Sequence, residues 1–147
     1  MTRHEEREIV FQILFETEFH PEETPSDIYR NSLAAKGSAD TPYMRDTYFG
    51  TVENLEEADK LIAESAHKWK ISRMAVVTRT LLRLAVYEMM WGGIPPKAVI
   101  NEAVEMAKVF DDDAAPAFIN GILNQIARKN GLIGDADKPE SDDGGAR

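Results

Sequence analysis

An all-α fold, a bundle of six or seven helices, is predicted by three features of this chain. Leu81, Leu82, Leu84, Ala85, Val86, Met89 and Met90 are apolar on almost every side of one segment, the mark of a helix at the centre of a bundle. Ile9/Ile13, Val10/Leu14 and Phe11/Phe15 are apolar pairs at i, i+4, which gives a broad buried helical face. No segment alternates with the period of two that a strand needs, and no motif repeats along the chain.

The first helix runs from about His4 to Glu18, with Thr2 as N-cap and Glu5 completing a capping box. Pro21 and Pro25 bracket a turn, and Ser26 is expected to cap a second helix through Ile28, Tyr29 and Leu33 to about Lys36. Thr41-Pro42 pairs an N-cap with a proline at the first helical position. A long third helix follows to about Trp69. Gly50 lies inside it, disfavoured by about 1 kcal/mol against Ala, so it marks either a close helix contact or a break. Ser72 or a neighbour restarts the chain into the central helix. Gly92-Gly93 ends that helix, and Pro95-Pro96 opens the next, where Val99/Ile100, Ala103/Val104, Ala107 and Phe110 form one face. The last helix spans about Ala115 to Lys129, buries Phe118, Ile119, Ile122, Leu123 and Ile126, and stops at Gly131. Asp113 is its expected cap. Residues 1–133 form one helical domain, and 134–147 read as a disordered acidic tail.

Composition narrows the function. The 147 residues are 43% hydrophobic and 29% charged, a globular balance. No apolar run is long enough to span a bilayer. Glu5, Glu6 and Glu8 stand where a signal peptide needs an apolar stretch. Cysteine is absent, which excludes disulfides and thiol catalysis and fits a reducing cytoplasm. His4, His20 and His67 are scattered, and no phosphate-binding glycine loop or nucleophile elbow occurs. No catalytic site, metal or cofactor is expected. Asp111-Asp112-Asp113 reads as helix-capping acid rather than a cation site. The net charge is −9, opposite to the footprint of most nucleic-acid binders. The exception is a run of Lys68, Lys70, Arg73, Arg79 and Arg83, with no acid among them and Trp69 interleaved. Cations with an aromatic are a pattern that can stack bases. Arg83 lies inside the apolar helix, so it needs a carboxylate partner; Glu102 or Glu88 is expected.

Three linked segments carry a family resemblance: RLAVYE at 83–88, IPPKAVINEAVEMAK at 94–108 and FINGIL at 118–123. Together they resemble the NusB family of bacterial transcription antitermination factors. The weaker TRHEERE start and the Trp69–Arg79 region also align, so the resemblance spans about Thr2 to Leu132. It implies two packed helical subdomains. It further implies a factor that binds the boxA RNA of ribosomal RNA leader transcripts together with the ribosomal protein NusE, tethered to an elongating RNA polymerase. On this basis Arg3, His4 and Arg7 match the RNA-contacting start of helix one, and Phe118 or Asn120 lies near a base. Phe15, Thr78 and Arg79 face NusE. The chain departs from the family pattern at Glu5, Glu6 and Glu8, which interrupt the arginines. It departs again at Ala114, Ala115, Pro116 and Ala117, where an acid-serine-basic pattern is common. The alternative is a helical protein-binding module or homodimer that has lost RNA binding. A detached relative of the NusB-like domain on ribosomal RNA cytosine methyltransferases would need a nucleotide-binding domain and a catalytic Cys, and this sequence has no cysteine.

Overall fold

The computed structural model describes residues 1–67 and 69–134; most of the expected acidic tail lies outside the described residues. The elements in order are α1 (Arg3–Thr17), α2 (Pro25–Lys36), α3 (Pro42–Glu53), α4 (Leu55–Ala66), a 3-10 turn (Ile71–Arg73), α5 (Val76–Met90), α6 (Pro96–Phe110) and α7 (Ala115–Lys129). Among the described residues there is no strand. The all-helical reading holds, with seven α-helices among the described residues.

Local chemistry sets most boundaries where the sequence places them. Thr2 Oγ1 accepts from the Glu5 N–H at 3.1 Å, and the Glu5 carboxylate accepts from the Thr2 N–H at 2.7 Å, closing the capping box. Thr41 caps α3, accepting from the Met44 N–H, with Pro42 at the first position. Gly93 and Gly131 follow α5 and α7 with φ of +72°, where a side chain would be strained. Four expectations are corrected. Thr24, not Ser26, caps α2: Pro25 suits the first helical position, so the cap falls one residue before it, and Thr24 Oγ1 accepts from the Asp27 N–H. Ser72 lies inside the 3-10 turn, and α5 starts without a side-chain cap. Asp112 rather than Asp113 serves the start of α7, its Oδ1 accepting from the N–H groups of Ala114 and Ala115, both at 3.0 Å. The long third helix is two helices meeting at Asn54. The Asn54 backbone N–H and side-chain amide both donate to the Gly50 carbonyl, at 3.1 and 2.8 Å, the local side-chain-to-backbone bonding that short polar residues favour.

Gly50 also makes a close contact. A Cβ built on it would overlap the ring of Tyr87 in α5. The missing side chain lets the two helices approach.

Helix α5 is the hub. It packs against α1, α3, α4, α6 and α7, while α1 to α3 pack on one another and α7 packs on α4 and α6. Leu81, Leu82, Leu84, Ala85, Val86 and Met89 are buried on it, as the all-round apolar pattern requires. An ion-pair network crosses from α5 to α1 and α4. Arg83 donates to both Asp59 oxygens, at 2.8 and 2.9 Å, and to Glu18 at 2.9 Å. Arg79 donates to Glu18 at 2.8 Å and to the Met74 carbonyl. Neither expected partner of Arg83, Glu88 or Glu102, is used. Five residues on a helix rotate by roughly 140°, so Arg83 and Glu88 face different neighbours.

Two outcomes are expected. Gly50→Leu lowers unfolding stability by about 1–3 kcal/mol through overpacking, whereas Gly50→Ala made in a Tyr87→Ala background raises it by about 1 kcal/mol, because only helix propensity then remains; urea titrations measure both. The second concerns Glu18. Burial pushes its carboxyl up, but the Arg79 hydrogen bond and the charges of Arg83 and Arg79 outweigh that and hold it below its ordinary 4.5. A depressed carboxyl stabilises the fold above its unfolded pKa and loses that contribution as pH falls through the folded value. Stability therefore falls more steeply below about pH 4.5 in the parent chain than in Glu18→Gln, as read from denaturation midpoints across pH.

Candidate nucleic-acid interface

The start of α1 places Arg3, His4 and Arg7 in one and a half turns, and burial divides them. Arg7 turns into the bundle, 6% exposed, and meets Glu88 of α5, 1% exposed. Its Nε and Nη2 donate to the two Glu88 oxygens at 2.8 and 3.1 Å. Nη1 lies 3.4 Å from Glu102 of α6. Tyr43 of α3 donates its hydroxyl to Glu88 and sets its ring 5.6 Å from the guanidinium. Burial works against the Arg7 charge, but the hydrogen bond and charge of Glu88 more than reverse this. Burial, followed by the Glu88 charge, raises the Tyr43 hydroxyl far above its usual range. Arg7, expected to hold a phosphate, thus has its forked donors committed inside the protein.

Arg3 and His4 remain at the surface. The Arg3 guanidinium stacks 4.0 Å above the Tyr43 ring, pairs with Glu6 at 3.1 Å, and keeps 57% of its side chain exposed. It offers a cation on an aromatic platform. His4 sits between two carboxylates, Nδ1 at 2.9 Å from Glu102 and Nε2 at 3.1 Å from Glu8. The Glu102 hydrogen bond above all raises its pKa and so favours its charged form. The importance of Tyr43 was missed in the sequence. Its one local signal is a place in the first turn of α3, right after Thr41-Pro42.

Phe118 and Asn120 stand elsewhere. Glu102 beside His4 and Phe110 beside Phe11 show that α1 and α6 run side by side in the same direction. Those eight residues of α6 cover roughly 12 Å, and Phe118 lies beyond them in α7. Its ring meets Trp69 edge-on, with centroids 6.0 Å apart. The two wall a cavity of about 250 Å³ together with Arg73, Met74 and Asp112. Trp69 is 60% exposed, and the Arg73 guanidinium has no carboxylate partner among the described residues. Asn120 is internally engaged, taking the Asn124 amide on its backbone and side-chain oxygens at 2.9 and 3.2 Å.

The three residues expected to face a protein partner also divide. Phe15 is half-buried and lines a cavity of about 400 Å³ with Phe11, Val77 and Phe110. Phe19 and Val109 are exposed, and the Phe19 ring lies 5.1 Å from that of Phe15. Thr78 is buried, its hydroxyl donating to Asp111 at 2.6 Å. Arg79 is held by Glu18. Asp111 and Asp112 are occupied with Thr78 and backbone N–H groups, so these two acids of the run are structural. His20, Glu22 and Glu23 are the one grouping of metal-ligating side chains among the described residues, and all three are exposed.

This architecture has close relatives. The NusB of T. maritima superposes with a TM-score of 0.78 at 36% identity, covering 86% of this chain and 91% of that one. A NusB crystallised with NusE and double-stranded RNA superposes with a TM-score of 0.74 at 26% identity, covering 86% of this chain and 97% of its own. The transcription antitermination protein NusB of an Exiguobacterium species is 37% identical over 131 residues, 88% of this chain and 100% of that protein. One from a Thermoanaerobacter species is 38% identical over 134 residues, 90% of this chain and 94% of its own. Residues 4–128 match the NusB family. Backbone and sequence agree over most of the length, and the chain belongs to the NusB family of non-catalytic transcription antitermination factors.

Proposed function

We propose that this protein is an antitermination factor that binds boxA RNA of ribosomal RNA leader transcripts together with NusE and supports ribosomal RNA transcription as part of an RNA polymerase elongation complex. The observation that carries the reading is the likeness to a NusB solved with NusE and RNA. The role is assembly: the helical scaffold holds RNA and protein together and makes or breaks no bond. We take the boxA target as single-stranded, with bases open to edge contacts and stacking. Arg3, on its Tyr43 platform, is the phosphate contact best supported by exposure, with His4 beside it. Phe118 supplies a ring for a base, with Asn120 close by on α7. Arg7 supports this surface from beneath, since it anchors the helix that carries Arg3. Phe15 belongs to the open apolar face of α1 and α6, which suits NusE, and Thr78 and Arg79 shape the adjoining end of α5 through Asp111 and Glu18.

A second reading has an observation of its own. The body is acidic even without its tail, and the cavity of Phe11, Phe15, Val77 and Phe110 is apolar and open, with exposed Phe19 against Phe15. Both suit a protein-binding module or homodimer without RNA. A mass that rises with concentration in sedimentation favours that reading.

The test is a titration of labelled boxA RNA, with a scrambled control, with and without NusE, at two salt concentrations. Selective, salt-sensitive binding tightened by NusE is expected; its absence even with NusE sinks the RNA reading. Arg3→Ala is expected to weaken binding, to lower the slope of log K against log salt by about 0.7, and to leave the melting temperature unchanged. Arg7→Ala is expected instead to lower stability by about 3–5 kcal/mol, because Glu88 is left buried without its cation, with only the Tyr43 hydroxyl to satisfy it. If Arg7→Ala melts like the parent chain, the structural assignment of Arg7 is wrong.

A further inference from the structure

A cleft of about 520 Å³ opens between α3 and the end of α5, lined by Arg45, Asp46, Phe49, Gly50, Glu53, Asn54, Tyr87 and Trp91. Asp46, Gly50 and Glu53 form one stripe of α3, at i, i+4 and i+7. The bare backbone at Gly50 admits the Tyr87 ring into the middle of that stripe. Trp91, one turn further along, continues the aromatic wall, its ring 6.4 Å from that of Tyr87, and it is 40% exposed. Asp46 and Glu53 are exposed, and neither carboxylate has a hydrogen bond or ion pair among the described residues. The Tyr87 hydroxyl has no hydrogen-bond partner among them either. Arg45, the one cation in the lining, is paired with Asp40 at 3.4 Å.

Two aromatic rings flanked by two unengaged carboxylates make a receptor for cations. Ring faces attract guanidinium and ammonium groups, and carboxylates supply charge-assisted hydrogen bonds. The same carboxylates repel phosphate, so a nucleic acid is disfavoured here. After burial, the charges of Asp46, Glu88 and Glu53 are what raise the Tyr87 hydroxyl above its ordinary value, the imprint of a negative field in the cleft. The seven-residue spacing of Asp46 and Glu53 places them roughly 10 Å apart along α3. Basic side chains three residues apart in an extended strand have about that spacing.

We propose that this aromatic-acidic cleft is a docking site for a basic protein segment, taking one arginine against Tyr87 and Trp91 and a second cation about three residues away, with Asp46 and Glu53 as the counter-charges. Arginine fits better than lysine because its planar group stacks and hydrogen-bonds at once. The site goes beyond the proposed RNA role and does not rest on it.

The probe is the peptide Ac-Arg-Gly-Gly-Arg-NH2, titrated into the full chain and followed by the two tryptophan indole N–H signals in NMR. The neutral citrulline peptide is the control. Saturable movement of the Trp91 signal is expected, with Trp69, beside Lys70 and Arg73, as an internal reference that stays still. Citrulline should bind at least tenfold more weakly. Asp46→Asn with Glu53→Gln should weaken the arginine peptide at least tenfold while leaving the helical circular dichroism and melting curve in place. Three results would each overturn the proposal: no saturable shift of Trp91, equal shifts from the citrulline peptide, or undiminished binding by the double variant. Movement of Trp91 by RNA instead of the peptide would reassign the cleft to nucleic acid.

Discussion

Glu88 is a carboxylate at 1% exposure in the middle of a helix that is otherwise apolar, and the assembly of the bundle turns on how it is satisfied. An unpaired buried charge is untenable at the scale of a domain's total stability. Arg7 arrives from α1 with two donors and Tyr43 from α3 with one, while Glu102 of α6 stands behind Arg7. One acid on α5 thus fixes the positions of three other helices. A planar guanidinium matched to a carboxylate is strongly directional, so the cluster sets the rotation of α1 about its axis. That rotation decides which residues of α1 are left outside.

The surface follows from this constraint. With Arg7 committed inward, the exposed positive charge of the first turn is Arg3, steadied on Tyr43, together with a histidine held between two acids. A cation that already rests on a ring loses less freedom when it meets a phosphate. The same rotation brings Phe11 and Phe15 to an open apolar cavity shared with Val77 and Phe110. One helix therefore presents a polar end and an apolar flank, and the inward arginine secures both.

The basic run between Lys68 and Arg83 shows how folding redistributes charge. Arg83 and Arg79 are drawn into the Glu18 and Asp59 network, binding α5 to α1 and α4. Arg73 stays exposed next to Trp69. A stretch that looks like a single cationic patch in one dimension becomes a structural lock and a small accessible remainder. The acids Glu18 and Asp59 come from other elements, so the spacing within the run could not reveal it.

The sequence by itself determined most of the helices, the caps at Thr2 and Thr41 and the identity of the central helix. Those depend on neighbours within a turn or two: Thr2 with Glu5, Thr41 with Pro42, and an apolar surface all round α5. Family membership was also legible, because RLAVYE, IPPKAVINEAVEMAK and FINGIL keep their order and spacing. The break at Asn54 was less legible, since apolar periodicity runs on through it. Tertiary structure alone decided the partners of the charges. Arg7 and Arg3 look alike in the chain, but a rotation of about 40° between i and i+4 puts one against Glu88 and leaves the other in water. Arg83 took Asp59 and Glu18 rather than Glu88 or Glu102, because a buried guanidinium pairs with the carboxylates its own helix face meets. Gly50, ambiguous as a break or a contact in sequence, became a contact once α5 laid Tyr87 across it.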